Sequence, residues 1–205
     1  MKLSDIREAG RALPSAPAAI VDNVAARAAA EGLVDISYGE VDSPVGRLGL
    51  AVTDRGLVRI SYTDSNADAL ENLARDLSPR ILRRPEATDG VRRQLDEYFN
   101  GRRQAFDVAL DWSLIRGFGR RVLEATVAIP FGQVSTYQLV ATEAGNPRAS
   151  RATGNALGAN PIPIIIPCHR VLRTGGGFGG YTGGIYRKER LLEIEGRGPG
   201  RLSDL

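Results

Sequence analysis

Residues 135–157, STYQLVATEAGNPRASRATGNAL, decide how the second half of the chain folds. Ser135-Thr136 stand where a helix cap is needed, because a side-chain oxygen there accepts one of the unpaired N–H groups of the first turn. The helix they cap runs through Tyr137, Leu139 and Val140 to Ala144. Gly145-Asn146-Pro147 is a tight turn. Arg148 to Leu157 reads as a second helix, rich in the small residues Ala149, Ser150, Ala152, Gly154 and Ala156. Two short helices about a Gly-containing turn match a helix–turn–helix whose second helix approaches a DNA groove. Arg148 and Arg151, three residues apart, would then share a face. The same small residues suit a helical hairpin packed closely on itself, so this segment alone leaves both readings open.

Working outward, 116–129 carries Val122, Leu123, Ala125 and Val127 near helical spacing, and Pro130 and Gly132 stop it. Upstream the period changes. Ile36, Tyr38 and Val41 alternate, as do Leu48, Leu50 and Val52, with Ser43-Pro44 and Gly46 forming a turn between them. A second turn, Asp54-Arg55-Gly56, leads into Leu57, Val58, Ile60 and Tyr62, giving a β-meander. Residues 66–77 and 90–100 show helical apolar spacing, the second ended by Gly101. Phe106, Val108 and Leu110 alternate as a further strand. Residues 1–34, rich in Ala and Arg, hold two candidate helices parted by Pro14 and Pro17, and the second, 18–32, ends at Gly32. They carry no recognisable chemistry and read as an appendage. The expected organisation is a 1–34 extension, a 35–112 α/β domain, a mostly helical 113–196 domain and a 197–205 tail.

One cysteine excludes an internal disulfide and a multi-cysteine zinc site, and a single histidine excludes a His-rich one. Any cysteine chemistry belongs to one thiol, which needs a reducing compartment. No apolar run follows Lys2, Arg7 and Arg11, and Ile162–Ile166 is far too short to span a bilayer. The expectation is a cytoplasmic protein with no membrane association. Net charge is +3 but uneven. Residues 1–112 hold 15 Lys+Arg against 18 Asp+Glu, and residues 113–205 hold 12 against 6, so the second half is the one suited to a polyanion. Only Lys2 and Lys188 are lysines.

The strongest local signal is Pro161-Ile-Pro-Ile-Ile-Ile-Pro-Cys168-His169-Arg170-Val171. The thiolate is the reactive form of cysteine, and a free thiol is mostly protonated at neutral pH. A nearby imidazole can take its proton, and a carboxylate can orient that imidazole. Glu195 is the candidate carboxylate. Adjacent residues on a strand face opposite ways, so Cys168 and His169 need a bend, which Pro167 supplies, or a bridging water. A buried, inert thiol beside an ordinary histidine fits the pair equally well. Beyond it lies Gly175-Gly-Gly-Phe-Gly-Gly-Tyr181-Thr182-Gly183-Gly184, a loop able to wrap closely round a ligand and lacking the ending of a phosphate-binding loop.

Taken together these motifs resemble the O6-alkylguanine-DNA alkyltransferase family, the methylated-DNA–protein-cysteine methyltransferases. The resemblance covers about 36–196. It rests on Ile166-Pro-Cys-His-Arg-Val171, Phe131-Gly-Gln-Val-Ser-Thr-Tyr137, Gly145-Asn-Pro147, Arg151, Asn160-Pro161 and Tyr181-Thr-Gly-Gly184. It implies an α+β fold of two domains. The first would be a ribonuclease-H-like α/β domain with a short antiparallel sheet, the second a winged-helix-like domain with the helix–turn–helix. It implies direct reversal of damage in double-stranded DNA: the alkyl group of O6-alkylguanine, with O4-alkylthymine as a related lesion, moves irreversibly to Cys168. It implies that no metal or organic cofactor is needed, and a monomer able to cluster on DNA.

The resemblance also implies roles. Cys168 would accept the alkyl group, activated by His169 through a water and by Glu195. Asn160 would be the hinge between recognition helix and active-site segment. Arg151 would fill the gap left by the extruded nucleotide, with Thr136, Tyr137, Arg148, Ala149 and Ser150 also at the DNA. Tyr137 would help rotate the nucleotide and bond the guanine. Val171, Tyr181, Thr182 and Gly183 would form the alkylguanine pocket, a carbonyl at Val171 facing the exocyclic amine and Thr182 the O6 edge.

The sequence departs from the family at 116–121, Arg-Gly-Phe-Gly-Arg-Arg, where Thr-Pro-Phe-Gln wording is usual. A papain-like hydrolase does not place its base beside its nucleophile in sequence, and a purely DNA-binding protein leaves the thiol and the Gly-rich loop without a task.

Overall fold

A computed structural model of the chain describes residues 18–66 and 68–197. The first of the two helices expected over 1–34 lies outside the described residues, as does the tail beyond 197. The described residues form two compact units that part after Val34. The first holds α1 (Ala18–Ala30), followed by Gly32 at φ +68.

The meander in the second unit forms as the alternation predicts. β1 (Ile36–Val41) pairs antiparallel with β2 (Leu48–Thr53), which pairs antiparallel with β3 (Gly56–Tyr62). α2 (Ala69–Asp76) lies C-terminal to β3, its buried Leu73 packing with Ile36, Ala51 and Val58. A short strand not read from the sequence, β4 (Ile81–Arg83), adds parallel to β1, giving the order β3-β2-β1-β4. A 3-10 turn (Pro85–Thr88) leads into α3 (Asp89–Phe99), which buries Val91, Leu95 and Tyr98.

The strand expected at Phe106, Val108 and Leu110 does not form. The Gln94 amide donates to the Asp107 carbonyl and accepts from its N–H, both at 2.8 Å, so that backbone is satisfied by a side chain. Only Leu110 bridges to Leu57, and the three apolar side chains still pack on the core.

The helical half begins with α4 (Gly117–Val127), on which Val122 and Leu123 are buried while Val127 is exposed. The helix–turn–helix follows as α5 (Tyr137–Glu143) and α6 (Ser150–Gly158), with Gly145 at φ +84 in the turn. Thr136 caps α5, its hydroxyl accepting from the Leu139 N–H at 3.2 Å. Both α4 and α5 pack on α6, and the Tyr137 ring lies beside Gly154. Arg148 precedes α6 and sits in the turn, so it does not share a helical face with Arg151. The two-residue β5 (Ser135–Thr136) pairs parallel with β6 (Val171–Leu172), tying the start of the motif to the residues just past the cysteine. α7 (Ile185–Ile194) closes the chain's core.

One hydrophobic cluster runs through both halves, from Leu48, Leu57 and Tyr98 to Leu123, Val140, Ile164 and Leu191. The two domains are therefore α+β in sum but share their core. No described helix is long and apolar enough to cross a membrane.

Candidate active site

The apolar run before the cysteine is not a strand. Residues 162–166 form a buried turn, closed by the Ile166 N–H donating to the Ile162 carbonyl at 2.9 Å. Ile164 within it takes φ +76, a conformation a β-branched residue adopts only under constraint, at about 1–3 kcal/mol. Two things supply the constraint. Ile162, Ile164 and Ile166 are fully buried, and Asn160 staples the turn. Its Oδ1 accepts from the Ile162 N–H at 3.0 Å and its Nδ2 donates to the Ile166 carbonyl at 2.9 Å. The same Nδ2 donates to Cys168 Sγ at 3.2 Å. Asn160 follows α6 directly, so one side chain links the second helix, the strained turn and the thiol.

Cys168–Arg170 then turn as one 3-10 helix, which supplies the bend expected at Pro167. His169 Nε2 lies 3.0 Å from Glu195 Oε1. Glu195 is the hub of a buried cluster that the sequence reading saw only in part. Arg170 donates to both its oxygens at 2.8 Å, and the Tyr98 hydroxyl donates to Oε1 at 2.7 Å. Burial alone would raise the Glu195 pKa, but the bonds from His169 and Arg170 hold it down at about 2. An ionised carboxylate can only accept, so His169 carries its proton on Nε2. Its Nδ1 is then a lone pair, buried and without a hydrogen bond among the described residues. Burial also lowers the His169 pKa, so the ring is neutral and free to take a proton.

Burial pushes the Cys168 thiol above its ordinary value, against the opposing pull of the Asn160 amide and of Lys188. Lys188 is fully buried. Its ammonium donates to the carbonyls of Val171 at 2.6 Å and Phe178 at 2.5 Å, pinning the Gly-rich loop to the residues after the cysteine. Burial lowers its pKa to about 8. The sequence signal was there unread: it is one of two lysines in an arginine-rich chain.

Two cavities meet at Cys168. A cleft of about 580 Å³ is walled by Tyr137, Ser150, Arg151 and Gly154 of the helix–turn–helix, and by Tyr181 and Thr182. A groove of about 350 Å³ lies on the sheet side, bounded by Tyr62, Pro163, Asn160 and Gly183. The Tyr181 hydroxyl meets that of Tyr62 at 2.9 Å, so β3 braces the loop. Gly183 has to lack a side chain, since a Cβ would come within 2.5 Å of the Tyr62 ring. Thr182 donates to the Gly158 carbonyl at 2.5 Å, joining the loop to the end of α6.

Most of the expected site residues thus converge. Arg151 is exposed on the cleft rim, Arg148 exposed in the turn, and Ala149 and Ser150 half-buried beside it. Val171 does not line either cavity. It is fully buried in the core, and its carbonyl already accepts from Lys188. No group of His, Cys, Asp and Glu that could hold a metal ion exists among the described residues.

Family models match both halves. Those described as the ribonuclease-like domain and the DNA binding domain of 6-O-methylguanine DNA methyltransferase match residues 36–112 and 117–197. The chain is 42% identical over 171 residues to the methylated-DNA–protein-cysteine methyltransferase of Mycobacterium tuberculosis, over 82% of this chain and 98% of that protein. A crystal structure of O6-methylguanine methyltransferase from the same organism is similar with a TM-score of 0.69 and 39% identity, over 80% and 95% of the two chains. That organism's OGT in complex with DNA gives 0.68 and 39%, over 82% and 98%.

Proposed function

Since the chain belongs to the 6-O-methylguanine DNA methyltransferase family, we propose that it repairs double-stranded DNA by taking the alkyl group of O6-alkylguanine onto Cys168, once per molecule. The observation that carries this reading is the position of Cys168. The chain's single thiol lies at the junction of two cavities, one of them walled by the second helix of a helix–turn–helix.

The O6 atom lies within the base stack, so the nucleotide has to be extruded, at a few kcal/mol. Arg151, exposed on the cleft rim, enters the stack and offsets that cost, and the main-chain and small side chains near Ser150 let the helix approach the backbone. Tyr137 and Thr182 receive the base in the cleft. His169 Nδ1 takes the thiol proton through a bridging water, and Asn160 donates to the sulfur as its charge develops. The thiolate attacks the alkyl carbon in line as the carbon–O6 bond breaks, and the bonding pair leaves with the guanine. Protonation of that guanine, aided by the Tyr137 hydroxyl, lowers the barrier. The product thioether has no easy leaving group, so the protein is consumed.

The deciding measurement is intact mass after incubation with a duplex containing O6-methylguanine. One methyl group per protein, absent from Cys168→Ala, is the expected result. No gain, or a gain that survives the substitution, overturns the reading.

Arg151 touches DNA but not the transferred group. Arg151→Ala is therefore expected to slow repair of the duplex roughly 10-fold or more, as for loss of a well-placed interaction of about 1.4 kcal/mol, and to leave reaction with free O6-benzylguanine nearly unchanged. Single-turnover rates on the two substrates check this. Equal losses on both would remove Arg151 from the stack.

A further inference from the structure

The cleft at Cys168 is lined by two arginines, and alkyl transfer as described above uses only Arg151. The other, Arg173, is placed by the β5–β6 ladder. Ser135 pairs with Val171 and Thr136 with Leu172, so the next residue of each strand, Tyr137 and Arg173, emerges beside the other. Arg173 then opens a tight turn. Its N–H donates to the Gly177 carbonyl at 2.7 Å, and its carbonyl accepts from the Gly176 N–H at 3.0 Å. Its aliphatic stem passes over Gly177, where a Cβ would lie 3.7 Å from the Cβ of Arg173. The residue is therefore held at its backbone and along its stem.

One edge of the Tyr137 ring lies against Gly154 of α6 and the other against Gly179 of the Gly-rich loop. α6 and the loop thus flank the ring from opposite sides, with Arg151 on the first and Arg173 at the root of the second. Both arginines are exposed. Several arginines of the helical half are committed to carboxylates: Arg120 to Glu124, Arg170 to Glu195, Arg187 to Asp64 and Arg190 to Glu193. Neither Arg151 nor Arg173 has an ion pair or a side-chain hydrogen bond among the described residues. No carboxylate among the described residues lines the cleft. Burial raises the Tyr137 pKa and the Arg173 charge opposes that rise, so the guanidinium acts within the cleft that holds Cys168.

A cation at the mouth of a cleft without a counter-ion suits an anion from outside. Extrusion sends only the base of a nucleotide towards the sulfur, and its phosphates stay at the mouth. A guanidinium offers parallel N–H donors to two oxygens of one phosphate.

Resting on the proposed alkyl transfer to Cys168, we propose that Arg173 grips a phosphate of the extruded nucleotide, across the Tyr137 ring from Arg151, and holds that nucleotide in the cleft. The contact takes no part in breaking the carbon–O6 bond. Its role differs from that of Arg151, which fills a gap that exists only in a duplex. Arg173 serves any strand that carries phosphates, paired or single.

Three substrates separate these roles: free O6-benzylguanine, a single-stranded oligonucleotide bearing O6-methylguanine, and the corresponding duplex. Second-order rates at subsaturating substrate are compared. Arg173→Gln is expected to lower the rate on both oligonucleotides about 10-fold, as for loss of a charge-assisted hydrogen bond, and to change the free base less than about 2-fold. Arg173→Lys should restore part of the loss, keeping the charge without the fork. The slope of log affinity against log salt should fall by about 0.9 for the duplex and about 0.7 for the single strand in the glutamine variant. Arg151→Ala should lose rate on the duplex alone. An equal loss of Arg173→Gln on all three substrates would place Arg173 in the chemistry through Tyr137 and overturn the phosphate contact. A loss confined to the duplex, or no loss at all, would overturn it too. If the wild type fails to gain a methyl group from the duplex, it is the alkyl-transfer reading that falls.

Discussion

Glu195→Gln is expected to lower the unfolding free energy by about 3–5 kcal/mol, the range for breaking a buried ion pair by removing one partner. The substitution keeps the shape and removes the charge that organises the cluster. Arg170, 5% exposed, would be left with a neutral carbonyl where it now holds both carboxylate oxygens. Either orientation of the amide turns an N–H₂ group towards donors, because Tyr98, His169 and Arg170 all donate to this site. Urea denaturation of the two proteins at pH 7 measures the difference. A loss under 1 kcal/mol would mean that Arg170 finds another partner.

The same pair gives a pH signature. Glu195 titrates at about 2 in the folded protein against an ordinary 4.5. Between those values the unfolded chain binds the proton and the folded one does not. The stability that Glu195 confers is therefore complete above 4.5 and lost as pH falls towards 2, about 3 kcal/mol in all. The glutamine variant has no such titration. The stability gap between wild type and variant should accordingly narrow as the solution is acidified through this window. A gap independent of pH would contradict the ionised assignment, and with it the Nε2–H tautomer of His169.

This cluster shows where the sequence was readable. Thr136 as a cap, the turn at Gly145 and the meander from Ile36 to Tyr62 are local, each specified by residues within a few positions. The Cys168–His169–Glu195 set was legible through residue type and motif order. Arg170, Tyr98 and Lys188 were not, because their roles are defined by partners far along the chain. Tyr98 fits a helical apolar pattern, and nothing near it says that its hydroxyl meets Glu195, 97 residues on. β4 escaped for the same reason: three residues become a strand only by pairing with β1. Phe106–Leu110 misled in the opposite sense. Its alternation is real, but Gln94 occupies the backbone that a partner strand would need. Arg148 failed by two positions, since α6 starts at Ser150.

Lys188→Met is expected to slow alkyl transfer roughly 10- to 100-fold with little change in DNA affinity. The ammonium is completely buried and bonded only to two carbonyls, and no carboxylate pairs with it among the described residues. A buried charge without a counter-ion is unfavourable, which is why burial brings Lys188 down to about 8. The group that acts to keep it charged is Cys168. Each charge favours the other: the ammonium lowers the cost of ionising the thiol, and the thiolate keeps the lysine protonated. A cation beside a buried thiolate is worth roughly one to three factors of ten in thiolate population, partly offset because a less basic thiolate is a weaker nucleophile. Methionine keeps the length and the apolar stem and removes the charge. A role confined to pinning the Gly-rich loop would weaken binding of the alkylated duplex and leave the isolated thiol untouched. Two readings without DNA separate the cases. The rate of Cys168 with iodoacetamide should fall in step with alkyl transfer, and the thiolate absorbance near 240 nm should rise at higher pH than in the wild type. Unchanged thiol reactivity, with DNA binding lost instead, would reduce Lys188 to a loop anchor and leave activation of the cysteine to His169 and Asn160.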